Sequence, residues 1–324
     1  MRPPSSRLVL SLILSLSSLG VIALPAQAPA LGGTCGSAIP CECGDEFFGS
    51  RTLVFGVDPI TVTPCAGEGL IFNEGSHRSL NLGGNTIRAA AGNVGTDGIR
   101  LNDTTHNTVT GGAIVGFGTG IGGRIASLNL FSDLQIVEGS VGIRILGGGN
   151  TIQRSVFRRL SAGAITISDG AGTQILGNRI EDSGVGVTIS TSPFFDIAGE
   201  TVIARNLVLR SSGNGLTVHS SRFALGAIID RNQVKRSGGD GVVLSGTNVR
   251  VTSNVASDNA GNGFDSRGLT DSTFHGNRAQ ANDLFGMVDD SAGDGTAGTA
   301  NTYTRNNRCS LNGLGDSEPP GLCF

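Results

Sequence analysis

Four residues in the second half of the chain have side chains suited to acid–base chemistry on a sugar: His219, Asp240, Asp265 and Arg267. An imidazole takes a proton near neutral pH. Carboxylates serve as acids or hold a hard cation such as calcium through oxygen. A guanidinium neutralises a sugar carboxylate. On this reading His219 is the base of a β-elimination beside a uronate carboxylate and Arg267 the neutraliser. Asp240 and Asp265 are then acids or calcium ligands, and calcium is the one cofactor these residues suggest. Arg100, Arg144, Asn214 and Asn262 are suited to holding an anionic or hydroxylated chain.

Whether these groups meet depends on a repeat. A small-residue–apolar step returns at Gly98, Gly120, Gly142, Gly163, Gly186, Gly215, Gly241, Gly263 and Gly286, with gaps of 22, 22, 21, 23, 29, 26, 22 and 23. Such periods signal a repeat architecture. Residues 173–190 show one unit, in which Gln174-Ile175-Leu176, Arg179-Ile180-Glu181 and Val187-Thr188-Ile189 alternate with strand period between small polar corners. Three short strands in about 22 residues describe one coil of a parallel β-helix stacked at about 4.8 Å. Asn178, Asn206, Asn232, Asn254, Asn277 and Asn306 recur at one corner, where stacked amides can bond one another in a ladder. In the strand after each marker glycine the outward positions include Arg100, Gly122, Arg144, Thr166, Thr188, Thr217, His219, Asp265 and Arg267. Asp97, Asn214, Asp240 and Asn262 sit at the preceding turn, so His219, Asp240, Asp265 and Arg267 are expected on one patch.

The chain has 324 residues with 52 Gly, one Tyr and no Trp, which suits a thin aliphatic solenoid core better than a compact globule. A formal charge of −3 gives no basic footprint for nucleic acid. Residues 1–28 read as a secretory signal, with Arg2 and Arg7 before an apolar run and Ala26-Gln27-Ala28 as cleavage site. No later stretch is long enough to span a bilayer, so a secreted or periplasmic location is expected. Export permits disulfides. Cys309–Cys323 is one expected pair. Of the three pairings open to Cys35, Cys41, Cys43 and Cys65, the choice is Cys35–Cys41 with Cys43–Cys65, a zinc site being the rival. The expected organisation is a signal at 1–28, a Cys-containing cap and opening coils at 29–84, a β-helix at 85–290, and a last coil with a disulfide cap at 291–324. The longer periods place insertions at 192–200 and 220–225.

Cys43-Gly44-Asp45, Cys65, Leu80-Asn81-Leu82-Gly83-Gly84-Asn85-Thr86-Ile87, Asp97-Gly98-Ile99, Gly111 through Phe117 and the ending Pro320-Gly321-Leu322-Cys323 carry a resemblance. The chain resembles the secreted bacterial right-handed parallel β-helix proteins of the pectate-lyase-like superfamily. That resemblance implies the fold, export and contact with an extracellular polysaccharide or cell-surface glycan. It does not fix a reaction, because the superfamily holds lyases, hydrolases, epimerases and binding proteins. The polygalacturonase-like set is incomplete: Asp289-Asp290 is present, but Phe274-His275-Gly276 is not the Gly-His-Gly motif. The Arg-x-Pro-x-x-Arg step and the Asp-Pro-His-Glu signature are missing, and Lys235 is the one lysine. Two functional readings follow: a non-catalytic solenoid that binds glycan, or a lyase, epimerase or hydrolase acting on an acidic glycan through His219, Arg267, Asp240 and Asp265.

Overall fold

The computed structural model describes residues 32–92, 95–191, 199–220 and 226–324. The expected signal at 1–28 and most of the insertions expected at 192–200 and 220–225 lie outside the described residues. The chain winds into a parallel β-helix of about ten turns. Each strand pairs in parallel with its copy one coil on, which gives three sheets around one core.

Residues facing inward form three rows. On the first sheet Ile99, Ile121, Ile143, Ile165, Val187, Leu216, Val242, Phe264 and Met287 stack in register. On the second, Phe131, Ile152, Ile175, Ile203, Ile229, Val251, Phe274 and Tyr303 do the same. The third runs Phe157, Ile180, Val208, Val234, Ala256, Ala279 and Cys309. The rows compensate in volume. Where the first two enlarge to Phe264 and Phe274, the third shrinks to Ala256 and Ala279, so the core stays filled without strain.

The marker glycines occupy the corner that leads into the first sheet. A Cβ on Gly186 would meet the Gly215 carbonyl oxygen at 2.1 Å, and one on Gly215 would meet the Val234 side chain at 2.0 Å. Neither place can hold a side chain. The series contains one correction. The registers Val141↔Gly163 and Ile143↔Ile165 put Ala164, not Gly163, in line with Gly142, so the spacing there is a regular 22.

The asparagine ladder is present at the corner between the second and third sheets. Asn206 accepts at Oδ1 from the Asn178 amide and side chain at 2.9 and 3.1 Å, and its Nδ2 donates to the Ile175 carbonyl at 2.8 Å. The same pattern continues through Asn232, Asn254 and Asn277. Its last rung is Asn307, which accepts from Asn277 at 3.0 Å; the expected Asn306 is exposed one residue earlier. Periodicity located the rung, and inward direction selected which of two adjacent asparagines fills it. Shorter ladders run at the other corners, through Asn107, Asn129 and Asn150 and through Asn259, Asn282 and Asn312.

Both ends are stapled by the expected pairs, Cys35–Cys41, Cys43–Cys65 and Cys309–Cys323. Buried Asp58 ties the first cap together. It accepts from the Cys41 and Val54 amides, each at 2.8 Å, and from Arg51 Nε at 2.7 Å. Burial alone would raise its pKa, but these donors outweigh it and hold the carboxyl below its usual value.

Asn232→Ala strands the Asn206 amide and the Ile203 carbonyl, and is expected to cost about 3 kcal/mol in urea unfolding. Asn306→Ala should stay within about 0.5 kcal/mol; equal losses would remove the ladder from this account. Because the Asp58 pKa is depressed on folding, its contribution is full above about pH 4 and fades as pH falls through the folded value. Asp58→Asn should therefore lower stability at pH 7 by about 1–3 kcal/mol and flatten the acid limb of a stability–pH curve.

Candidate functional site

Outward residues of the first sheet form one continuous row: Arg100, Gly122, Arg144, Thr166, Thr188, Thr217, Val243, Asp265 and Val288. The register expected from the sequence holds along its whole length. A cleft of about 410 Å³ opens at the Arg100 end, over a floor of Gly122 and Gly123 and between Asp97, Arg100, Arg124 and Arg144. Two coils apart, Arg100 and Arg144 flank a glycine, and the space a side chain would fill at Gly122 is taken by the Asp97 carboxylate, 2.4 Å from an ideal Cβ.

Arg100 is anchored. Its Nε donates to Asp97 Oδ2 at 3.3 Å and its Nη2 to Glu68 Oε1, while Glu68 Oε2 accepts the Asp97 amide at 2.7 Å. Burial, with help from the Asp97 charge, pushes the Glu68 carboxyl above its ordinary value despite Arg100. Arg124 and Arg144 are exposed and, among the described residues, have no carboxylate partner. Glu68 was not a sequence candidate. Its one signal was position, a coil before Asp97 in the opening turns.

The C-terminal patch divides. Asp265 accepts from Arg267 Nε at 2.9 and 3.1 Å and from Nη2 as well, which leaves the carboxylate 7% exposed. That pairing, with the charges of Asp240 and Asp290 nearby, drives the Arg267 pKa up and keeps it cationic. Asp240 belongs to a cross-coil chain: its amide donates to Asn214 Oδ1 at 3.0 Å, and its Oδ1 accepts the Asn262 amide at 2.5 Å. Asn262 Oδ1 in turn accepts the Phe285 amide at 3.1 Å. Asn214 and Asn262 thus bind backbone at this edge. His219 lies on the same face but bonds Ser245 Oγ at 2.9 Å and touches none of the acids or Arg267. For calcium, Asp265 has both oxygens engaged by Arg267. Among the described residues no three His, Cys, Asp or Glu converge on a metal position. Asp289 is buried, accepting from Tyr303 at 3.0 Å and from Asn301 at 2.9 Å, and it locks the last coils rather than facing a groove.

The family model described as periplasmic copper-binding protein (NosD) matches residues 149–313, just over half of the chain, and that described as right handed beta helix region matches residues 50–202. The chain belongs to the NosD family of right-handed β-helix proteins. Solved structures carry the same fold. The A-module of mannuronan C-5 epimerase AlgE4 from Azotobacter vinelandii is 15% identical at a TM-score of 0.55, over 87% of this chain and 79% of that one. A double mutant of the periplasmic alginate epimerase AlgG is 16% identical at 0.56, over 86% and 73%. The catalytic domain of a GH87 α-1,3-glucanase in complex with tetrasaccharides is 14% identical at 0.54, over 86% and 59%. These identities establish the fold alone. Among curated proteins none matches the chain. In this NosD-family chain the family match covers the C-terminal patch, whereas the cleft at Gly122 lies before it, within the β-helix match.

Gly122→Ala forces its methyl into the Asp97 carboxylate and should cost about 1–3 kcal/mol, while Gly95→Ala, with open space around its Cβ, should be neutral. Combining Gly122→Ala with Asp97→Ala should recover most of the loss in a double-mutant cycle. Additive losses would place Asp97 elsewhere.

Proposed function

We propose that this protein is an exported β-helix that binds an acidic polysaccharide along its first sheet without cleaving it. The observation that carries the reading is the cleft itself. Two uncompensated guanidiniums, Arg124 and Arg144, stand over a glycine floor, and no histidine or lysine lines it to act as a base. Arg144 and Arg100, two coils apart, are about 10 Å from one another by coil spacing, a reach suited to successive units of a uronate chain. Guanidinium forks match carboxylates in geometry. The neighbours support a polysaccharide ligand, since their names describe a mannuronan epimerase, an alginate epimerase and an α-1,3-glucanase, and mannuronan and alginate are acidic polymers. Export is supported by the leader-like sequence at 1–28, the three disulfides and the periplasmic description of the family. Among the described residues no helix is long and apolar enough to cross a membrane.

The family description also names copper, and the donors here do not fit a copper centre. All six cysteines are paired, and Met287 is buried in the core. His219 and His275 are engaged singly, by Ser245 and Thr304. His77 and His106 stack with ring centroids 5.1 Å apart and planes 3° from parallel, so their in-plane lone pairs run side by side instead of converging.

A second reading rests on Glu68. A carboxyl with a raised pKa beside a second carboxylate, Asp97, is the arrangement of a proton donor in glycan chemistry. One experiment separates the two. Polyuronate binding is measured by calorimetry while absorbance of unsaturated product and release of reducing ends are followed. The binder reading expects Arg124→Ala with Arg144→Ala to weaken the cleft's component of binding at least about tenfold, equivalent to about 1.4 kcal/mol. His219→Ala and Asp265→Asn should leave binding unchanged, and no product should form. Product that disappears in Glu68→Gln would replace the binder with an enzyme working in the same cleft.

A further inference from the structure

From residue 133 to 311 the third sheet presents a six-residue face in each coil, bounded on each side by a corner residue with left-handed backbone at every corner but Asn306. Over segments 133–138, 154–159, 177–182, 205–210, 231–236, 253–258, 276–281 and 306–311 this face holds eleven Lys and Arg against five Asp and Glu, on a chain whose formal charge is −3. Charge is therefore segregated. The two corner columns form rails along the rod, with Arg154, Arg205 and Arg231 on one side and Arg159, Arg210 and Arg236 on the other, all at φ between 49° and 58°. Left-handed backbone favours Gly, Asn or Asp, and Gly177 and Gly276 do stand on the first rail. The corner does not call for arginine, so its recurrence reflects the side chain.

Towards the start of the rails the charge is cancelled. Arg154 pairs with Asp133 at 2.8 Å, Arg159 with Glu138 at 2.6 Å and Arg210 with Asp182 at 2.6 Å. Beyond that the acids thin to Asp258, which follows Arg236 one coil on along the second rail and, among the described residues, forms no ion pair. Among the described residues Arg205, Lys235 and Arg236 have no carboxylate partner, and Arg231 has only Asp230 at 3.5 Å. Four cations on two neighbouring coils stand at a repeat of about 4.8 Å along the axis.

We propose that this face is a second polysaccharide site, distinct from the cleft on the first sheet, which takes an acidic glycan laid along the rod axis. An extended polymer with one anion per sugar presents charges at a repeat comparable to the coil. The face carries no aromatic platform for stacked bases, as single-stranded nucleic acid requires. Its outward Leu207 and Leu209 are half-buried and offer no wedge for a bilayer.

The test uses the full chain and sodium polygalacturonate, with neutral dextran, phosphatidylglycerol vesicles and an oligothymidylate as comparison probes. With the Arg124→Ala/Arg144→Ala cleft variant as parent, adding Arg205→Gln/Arg231→Gln/Arg236→Gln, at unchanged melting temperature, should weaken the remaining polygalacturonate binding at least tenfold and lower its log–log salt slope by about two to three. The corresponding Arg→Lys triple should restore most of both. Arg124→Ala/Arg144→Ala in the cleft should leave this component in place, so the two sites fail independently. A glutamine triple that binds as tightly as the parent overturns the proposal, as does tighter binding to vesicles or oligonucleotide than to polygalacturonate.

Discussion

Every coil of this protein must hydrogen-bond to its own copy above and below. That single constraint, parallel pairing at one fixed repeat, decides most of what the chain looks like. A residue placed in a corner is placed next to its counterpart in the neighbouring coil. Polar groups buried there are tolerable only when they satisfy one another. The Asn178-to-Asn307 ladder meets this condition at each rung, because each amide oxygen accepts from the coil before and each amide nitrogen donates to a strand carbonyl of that coil. Glycine serves the neighbouring corner for the opposite reason. There the next coil's carbonyl comes close to the backbone at Gly186 and Gly215, and the corner admits nothing larger than the Ala164 methyl.

The same stacking governs outward residues. Side chains one coil apart are near neighbours, so opposite charges pair by default, as Arg154 does with Asp133 and Arg210 with Asp182. Such exposed pairs add little to stability, yet they remove both groups from chemistry. Arg267 and Asp265, two residues apart on one strand, cancel in the same way. Among the described residues, charge without a carboxylate partner is then left at Arg124 and Arg144 on the first sheet and at Arg205, Lys235 and Arg236 on the third. A solenoid of this kind can carry separate recognition surfaces on separate sheets, because each sheet is a flat array with its own register.

Membership of the NosD family fixes architecture more firmly than activity. Copper coordination needs donors that converge. The disulfides consume every thiol here, and the histidines are stacked or separately bonded. The epimerase and glucanase neighbours share the coil, which has a physical cause independent of their reactions.

Much of the fold was legible because a repeat prints its geometry into spacing. The marker glycines gave the period, the alternation in 173–190 gave three strands per coil, and the outward row from Arg100 to Val288 followed from counting. Two local errors show the limit. Gly163 against Ala164, and Asn306 against Asn307, are choices between adjacent small or polar residues that period alone does not separate; the direction of the side chain at a corner does. The candidate site was less legible. His219, Asp240, Asp265 and Arg267 do share a face, but sequence could not show that Arg267 folds back on Asp265 or that His219 bonds Ser245 instead. Nor did it show Glu68 reaching Arg100, or basic residues from several coils gathering on one sheet. Periodicity is a property of the chain itself, so the sequence determined the coil, its core and its caps. Which charges end up paired depends on distances across coils and on side-chain direction, and only the stacked structure decided that.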